Sequence, residues 1–227
     1  MDGAAQTSRT KVRRMPARGV YEREAIEAIL DEALVAHVGL VEDGQPYVIP
    51  TLHARIGDVL YFHGSAASRT IRALAAGAQA CLTVTLLDGL VLARSAVHHS
   101  VNYRSVVVLG VASPVEGPAE RARALRAFTE RLVPGRWDEV RAPTDRELKG
   151  VRVLAMPLRE VSAKVRSGPP LDDAEDYALP VWAGVVPLQT TAAEPIADPR
   201  LAPGVEPSGA VTGWSARRSE QLLKSSS

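Results

Sequence analysis

The sequence has few of the residues that point to a disulfide-rich, membrane-spanning or nucleic-acid-binding protein. It contains one cysteine in 227 residues, which excludes a disulfide framework. No apolar run reaches the ~18 residues of a membrane-spanning helix. Lys and Arg total 27 against 26 Asp and Glu, a net charge of +1, so no global field attracts nucleic acid or an anionic bilayer. Any anion site must therefore be local.

Aromatic residues are also sparse, at 4%, whereas 46% of the residues are hydrophobic, as in an ordinary soluble domain with a buried core. The basic stretch up to Gly19 lacks the apolar segment of a signal peptide. We therefore expect a cytoplasmic protein whose residues 1–19 form a flexible arm. Residues 191–227, rich in Pro, Ala and Ser, are predicted to be a disordered tail. The folded domain is placed at residues 20–190.

Hydrophobic periodicity predicts a strand-rich core with a few helices. Residues 22–34, 68–76 and 118–132 have apolar positions at helical spacing. Runs of alternating polarity, separated by Asp-Gly and Gly-Asp pairs, predict hairpins, one of which turns at Asp88–Gly89. Together with a long closing strand over 151–168 they make about six strands. Because the connections are hairpins, a small, closed or half-open antiparallel barrel fits best.

The segment HGSAASRTIRALAAG, residues 63–77, has features of a phosphate site. Arg69 begins the predicted helix, where the helix dipole disfavours a cation by roughly 0.3–1 kcal/mol. A bound anion would reverse that effect. Ser65 and Ser68 add hydroxyl groups, and Gly64 would let a ligand approach the backbone closely. An ordinary capped helix with a solvated arginine is an equally good interpretation.

A second polar segment, VHHSVNYRS at residues 97–105, lies between two apolar strands. Burying its hydrogen-bonding groups without partners would be costly, so ligand contacts would explain it. His98 and His99 are adjacent and would point to opposite faces of a strand, and no Cys or carboxylate stands at metal-ligand spacing, so no metal site is predicted. His53 and His63, on neighbouring strands, either meet across the sheet or are satisfied imidazoles at strand ends.

Signals for covalent catalysis or a dinucleotide fold are missing from the sequence. It contains no G-x-S-x-G, G-x-G-x-x-G or P-loop motif. Cys81 lies in the apolar run ACLTVTLL and has no local activating partner, which predicts a buried structural thiol. No residue is assigned as catalytic.

The order of these segments resembles a known family. Residues 20–188, and most specifically DGLVLARSAVHHSVNYRSVVV, are similar to the pyridoxamine 5′-phosphate oxidase-like, FMN-binding split barrels. The nearest branch is that of the nitroimidazole-resistance-type flavin-nucleotide-binding proteins. The resemblance implies a mainly β, α+β fold: a six-stranded antiparallel split β-barrel with two or three flanking helices. It also implies a homodimer with FMN in two interface clefts.

Cofactor-binding residues are carried over from the same resemblance. The site would contain a strand beside the flavin ring and, at the phosphate, the end of the next strand and the start of the following helix. A strand from the other subunit and a tryptophan over the ring would complete it. Either His53 or His63 would be placed to donate a proton near the flavin. The full set is Thr51, His53, His63, Ser65, Ser68, Arg69, Tyr103, Arg104, Ser105 and Trp182.

The expected activity follows from where the sequence departs from the family. True oxidases carry an Arg-Lys pair where Ser68–Arg69 stands here, and the C-terminal R-x-x-R-L-x-P ending is absent, so pyridoxamine phosphate oxidation is not expected. The resemblance implies an FMN-dependent oxidoreductase, nitroreductase-like or flavin-reductase-like, that uses NAD(P)H to reduce an unidentified small molecule. Alternatives are a heme-binding or heme-degrading protein, a non-enzymatic flavin carrier or sensor, and deazaflavin in place of FMN. Neither nucleic acid nor membrane is an expected partner.

Overall fold

Strands make up most of the structure, a computed structural model that describes residues 7–215. The α-helices are α1 Arg23–Glu32, α2 Arg69–Ala75, α3 Pro118–Leu132 and α4 Asp145–Gly150, and residues 209–215 are also helical. Short 3-10 helices include Pro16–Arg18 and Ala96–His98. The strands are β1 Gly19–Val20, β2 Val35–Glu42, β3 Gln45–Ile56, β4 Val59–Ser65, β5 Gln79–Leu92, β6 Ser100–Val111, β7 Ser113–Pro114, β8 Val151–Pro157, β9 Glu160–Arg166 and β10 Gly184–Pro187.

These strands form one antiparallel sheet in the order β1-β9-β6-β5-β2-β3-β4-β8-β7. Strand β5 pairs with β2 over its first half, and β10 pairs with the second half of β5. The sheet curls but does not close on itself, as in a split barrel. The predicted fold class, a mainly antiparallel α+β split barrel, is therefore confirmed.

Two predicted turns are confirmed by the backbone. Asp43 and Gly44, with φ of 51° and 77°, join β2 to β3 in the left-handed conformation that tight hairpins favour. Gly57, with φ of 56°, joins β3 to β4. The long closing strand is divided in two, because β8 pairs with β4 whereas β9 pairs with β6.

The predicted hairpin at Asp88–Gly89 is wrong, since β5 runs through this pair and only shifts its register against β6. Gly89 lies against β10. A Cβ there would stand 3.0 Å from Cγ1 of Val185 and 3.1 Å from the carbonyl oxygen of Val186. Glycine is therefore needed for the close approach of β10, a requirement that looks like a turn signal in the sequence.

Two apolar clusters hold the fold together. The larger lies between α1 and the inner face of the sheet and contains Leu30, Leu60 and Leu82, each fully buried. The smaller lies between α3 and the outer face of β3, β4 and β8, where Phe128 packs near Tyr61. Helix α3 thus covers one part of the outer face. In residues 7–215 no helix packs on the outer face of β2, β5, β6 and the first half of β3, called the open face below.

The carboxyl end of α1 is fastened by two side chains from other elements. Arg131 of α3 donates hydrogen bonds to the carbonyl oxygens of Leu30 and Asp31, each at 2.7 Å, and to that of Ala33. His53 Nε2 lies 3.0 Å from the same Leu30 oxygen. A cation at this end is favoured by the helix dipole. This contact holds α1, α3 and β3 together.

Within the described residues, the first segment of the chain contacts the barrel and the last contacts the 3-10 helix Arg136–Glu139. Thr7 and Arg9 donate hydrogen bonds to Glu160 on β9, and Ser208 donates one to Glu139 at 2.8 Å. The predicted arm and tail extend into residues 1–6 and 216–227, outside the described part, so both remain predictions. None of the helices in residues 7–215 is long and apolar enough to span a bilayer.

Candidate functional site

The serines predicted to bind phosphate lie together where β4 ends and α2 begins. Ser68 is the N-cap of α2, and its hydroxyl oxygen accepts a hydrogen bond from the Ile71 amide at 3.5 Å. The Ser65 hydroxyl oxygen accepts one from the Ala67 amide at 3.2 Å. Both serines therefore stabilise the local turn and helix start, whatever they bind in addition.

Arg69 lies beside them but is not a free cation. Its Nε stands 3.1 Å from Oε2 of Glu42, and its guanidinium carbon lies 4.0 Å from the centroid of the Tyr47 ring. Glu42 thus supplies the negative charge that offsets the unfavourable helix dipole. An external phosphate would have to displace this carboxylate.

Gly64 is explained by packing rather than by a ligand. A Cβ at this position would lie 2.8 Å from Cγ1 of Ile71, a side chain of α2 that is itself buried. Helix α2 can rest on the end of β4 because position 64 has no side chain.

His53 and His63 do not meet. His53 stands opposite Phe62 in the β3–β4 register, so His63 projects from the other face of the sheet, where its ring centroid lies 4.5 Å from that of Phe128. Burial lowers the pKa of His53 to about 4 and also lowers the pKa of His63. The structure thus rules out a meeting across the sheet, but it does not leave the imidazoles satisfied either, because Nδ1 of each is buried without a hydrogen-bond partner in the described residues.

On β6, Arg104 joins two carboxylates and ties α1 to the sheet. Its Nη2 lies 2.8 Å from an oxygen of Glu32, at the end of α1, and 2.8 Å from one of Asp88 on β5. Hydrogen bonds to Glu32 and then Asp88 raise the pKa of the guanidinium. Ser105 donates to the carbonyl oxygen of Lys164 at 3.3 Å. Arg104 is therefore already neutralised within the chain.

Asp172 is a polar partner that sequence reasoning missed. Its side chain is fully buried and accepts hydrogen bonds from the amide and Nη1 of Arg94, both at 3.0 Å. Burial opposes ionisation, but the bonds from Arg94 and the Ser95 amide lower the pKa of Asp172. The acidic run at 172–176 was the available signal.

This carboxylate also belongs to a group of possible metal ligands. Asp172, His98 and Asp176 bring ligand atoms within 4.8 Å of one another. Arg94 already supplies a positive charge to Asp172, so the cluster has an internal counter-ion. The expectation that the protein has no metal site stays a prediction.

Asn102 shows how the VHHSVNYRS segment satisfies part of its polarity. Its Nδ2 donates to the carbonyl oxygen of Gly168 at 3.2 Å, and its Oδ1 accepts from Nη1 of Arg166. Arg166, the last residue of β9, is 7% exposed. Sequence reasoning missed it because an arginine at a strand end normally reaches solvent.

Two further predicted cofactor-binding residues, Trp182 and Thr51, contact nearby parts of the chain. Trp182 is 66% exposed, and its ring lies over Gly184, where a Cβ would stand 2.9 Å from Cζ2. Thr51 donates to the carbonyl oxygen of Leu52 at 3.2 Å. The predicted set thus divides into a group at the start of α2, a group on β6, and single residues elsewhere; its role in binding stays a prediction.

A groove of about 460 Å³ lies at the end of the barrel formed by the β2–β3 hairpin, on the open face. Its walls are mainly apolar and include Val41, Tyr47, Cys81 and Leu109. Cys81 is half-buried rather than buried as predicted, and burial raises the pKa of its thiol. Because Tyr47 lines the groove and Arg69 stacks on Tyr47, Arg69 stands next to a cavity in the size range of ligand sites.

Residues 22–165 match the family model described as pyridoxamine 5′-phosphate oxidase, which spans more than half of the chain. The chain belongs to the pyridoxamine 5′-phosphate oxidase family. The family resemblance predicted from the sequence is thereby confirmed. No curated protein matches the chain.

Several solved protein structures are similar to this chain in sequence and fold. The flavocytochrome Anf3 from Azotobacter vinelandii is 43% identical, with 91% of this chain and 96% of that chain covered and a TM-score of 0.86. An FAD and heme binding protein from Mycobacterium smegmatis is 40% identical, with 87% and 97% covered and a TM-score of 0.84. A candidate 5-nitroimidazole antibiotic resistance protein from Bacteroides thetaiotaomicron, 23% identical over 65% of this chain and 86% of that chain with a TM-score of 0.56, shares the fold.

Proposed function

We propose that this chain is a flavin-binding redox protein that also binds heme. The observation that carries the proposal is the 43% identity, over 91% of this chain, to a protein described as a flavocytochrome. That coverage exceeds residues 22–165 of the family model, so the likeness reaches beyond the barrel core. The second relative, 40% identical, is described as binding FAD and heme.

The flavin we propose is FAD. The sequence resemblance implies FMN, whereas a relative 40% identical over 87% of this chain is described as binding FAD. A bound flavin would supply two-electron chemistry with a donor such as NAD(P)H, and a bound heme would supply one-electron transfer. An unidentified small molecule would receive the electrons as substrate.

The chain's own residues fit a flavin nucleotide near the groove. Arg69 reaches its edge by stacking on Tyr47, and Arg69, Ser65 and Ser68 are proposed to hold a phosphate. The Tyr47 ring and the apolar walls offer a surface for a flat ring system. Binding there requires Arg69 to exchange Glu42 for the phosphate, because the two side chains are paired in the structure.

A heme ligand needs an imidazole nitrogen with an available lone pair, and His99 fits this requirement. Its Nδ1 lies 3.0 Å from the carbonyl oxygen of Ser95, to which Nδ1–H donates. That bond leaves the lone pair on Nε2 and orients the ring, the usual support for a ligating histidine. His99 is exposed, whereas His53 is buried with its Nε2 on the Leu30 carbonyl. We propose that His99 would hold the heme iron, with the exposed His37 as the second candidate.

We also propose a homodimer in which a second copy covers the open face. Val35, Val41 and Val48 are 45%, 60% and 64% exposed there. Gly39 on β2 and Cys81 on β5, two uncharged residues, lie on the same face. A face of this composition in a soluble protein is typical of a subunit contact.

The test is the visible spectrum of protein produced with heme and flavin supplied, followed by chromatography of the released cofactors. We expect flavin bands, a Soret band and FAD. Flavin without a Soret band would leave a flavoprotein and remove the heme part. A colourless protein that FAD, FMN and heme all fail to stabilise would overturn the proposal.

Two variants and one reductant make this test specific. His99→Ala should weaken or shift the Soret band, whereas His98→Ala, its neighbour in sequence, is the matched control. Adding NAD(P)H should bleach the bound flavin. If dithionite bleaches it and NAD(P)H does not, the carrier or sensor interpretation replaces the oxidoreductase.

A further inference from the structure

Arg166 is a buried cation whose partners are neutral. It is 7% exposed, and its guanidinium donates to the side-chain oxygen of Asn102 and, at 3.5 Å, to the carbonyl oxygen of Pro169. In residues 7–215 no carboxylate forms an ion pair with it. Burying an uncompensated charge is costly, so buried charges are normally paired.

A second cation increases that cost. Arg18 ends the 3-10 helix Pro16–Arg18, directly before β1, and β1 pairs with β9 so that Gly19 stands opposite Lys164. Burial, and then repulsion from Arg18, lower the pKa of Arg166. An arginine nevertheless remains charged at neutral pH. The two guanidinium groups therefore form a positive site, for which no ion pair exists in the part of the chain that the structure describes.

Several other arginines that contact the barrel each have a carboxylate partner, unlike Arg166. Arg55 is paired with Asp31, Arg94 with Asp172, and Arg104 with Glu32 and Asp88. Even Arg69, the predicted phosphate ligand, is paired with Glu42. Exposed arginines without an ion pair are solvated, whereas Arg166, at the end of β9, is buried without one in residues 7–215.

We propose that Arg166, together with Arg18, binds an anionic oxygen group, a phosphate or carboxylate, of a bound small molecule. The planar guanidinium fork matches the two oxygens of such a group. Asn102 holds the fork in place, and Tyr103, predicted to contact the cofactor, stands opposite Arg166 in the β6–β9 register. The inference rests on the proposed function, because the phosphates of a flavin and the carboxylates of a heme are the two sources of this chemistry.

The experiment compares charged ligands with neutral analogues on the full-length apoprotein. FAD is compared with riboflavin, which lacks phosphate, and heme with heme dimethyl ester, which lacks free carboxylates. Arg166→Gln and Arg18→Gln are measured against Arg159→Gln, an exposed arginine in the turn between β8 and β9. Circular dichroism checks the fold, and Arg18→Gln, which is less buried, serves if Arg166→Gln does not fold.

We expect both variants to weaken the binding of FAD or of heme by about tenfold or more, the value of a charge-assisted contact. The affinity for the matching neutral analogue, riboflavin or heme dimethyl ester, should stay unchanged. A loss of FAD affinity indicates that the site binds a phosphate group, and a loss of heme affinity indicates that it binds a carboxylate group. Affinities that match those of Arg159→Gln would overturn the inference. An equal loss with the neutral analogues would do so too, because it indicates a structural role.

Failure of the proposed function gives a different result. If wild-type protein binds neither FAD nor heme, inorganic pyrophosphate is titrated at constant ionic strength and the melting temperature is followed. Stabilisation that disappears in Arg166→Gln and Arg18→Gln supports the anion site without the cofactors. The absence of any arginine-dependent stabilisation would overturn the inference as well.

Discussion

The carboxylate of Glu42, at the end of β2, lies 3.1 Å from Nε of Arg69, the first residue of α2, while the Arg69 guanidinium covers the Tyr47 ring at 4.0 Å. The chain therefore supplies its own anion where a cofactor phosphate is proposed. Binding of that phosphate becomes a competition between two negative groups for one cation.

Glu42→Gln should strengthen flavin binding, since it removes the competing carboxylate. An exposed ion pair contributes up to about 1 kcal/mol, so we expect a gain of up to about fivefold. Arg69→Ala should weaken binding by roughly two- to tenfold, less than a fully available charge-assisted contact would. Titration of FAD into apoprotein, followed by flavin fluorescence, measures both changes.

The control for this pair is Arg72→Ala, an exposed arginine on the same helix. Its affinity should match the wild type. Equal affinities for Arg69→Ala and Arg72→Ala would remove Arg69 from the flavin site.

His53 should make the fold sensitive to acid. Burial lowers its pKa to about 4 from 6.5, so the unfolded state takes up the proton first as the pH falls. The stabilisation is complete above pH ~6.5 and is lost progressively towards pH ~4. Between pH 7 and pH 5 we expect a loss of about 2 kcal/mol from this group.

Urea unfolding of the wild type and His53→Gln at both pH values isolates that contribution. The variant should show a smaller loss on acidification, whereas His37→Gln, which changes an exposed imidazole, should behave as the wild type. An identical pH dependence in His53→Gln would contradict the assignment.

Arg131→Ala should destabilise the protein by about 2–4 kcal/mol, because it removes charge-assisted bonds to three carbonyl groups at the end of α1. Arg126→Ala removes an exposed arginine of the same helix that stands 3.5 Å from Asp138, and should cost less than about 1 kcal/mol. Chemical denaturation measures both. Similar values for the two variants would show that the α1 contact contributes little.

Gly64→Ala should destabilise the fold by about 1–3 kcal/mol through the clash with Ile71. The same substitution should cost less in an Ile71→Ala background, where the clashing atom is absent. A double-mutant cycle by urea unfolding tests this. Independent, additive effects would mean that Gly64 is required for some other reason, such as the approach of a ligand.

The proposed homodimer is tested by placing a charge on the open face. Val48→Asp should shift sedimentation towards the monomer, since the buried carboxylate would lack a partner. Val97→Asp is the matched control, because Val97 is 83% exposed in the 3-10 helix Ala96–His98, away from the sheet. A monomeric wild type, or a Val48→Asp variant that dimerises as well as Val97→Asp, would count against the proposal.

Local rules predicted much of the fold because the deciding interactions are close in sequence. Helix α3 occupies residues 118–132 as its periodicity indicates, and Asp43–Gly44 forms the expected tight turn. The same reasoning failed at Asp88–Gly89, where the glycine makes room for β10, almost a hundred residues later. An identical dipeptide serves a turn in one place and a close strand contact in the other.

The family, the antiparallel barrel and the residue types suited to an anionic cofactor follow from the sequence alone, since periodicity, turn residues and motif order all act over short distances. Which of those residues are still available to a ligand depends on the three-dimensional fold. Glu42 neutralises Arg69, and Glu32 and Asp88 neutralise Arg104, whereas Arg166 is buried beside Arg18. Charge pairing depends on distance in space and on burial, and the folded chain sets both.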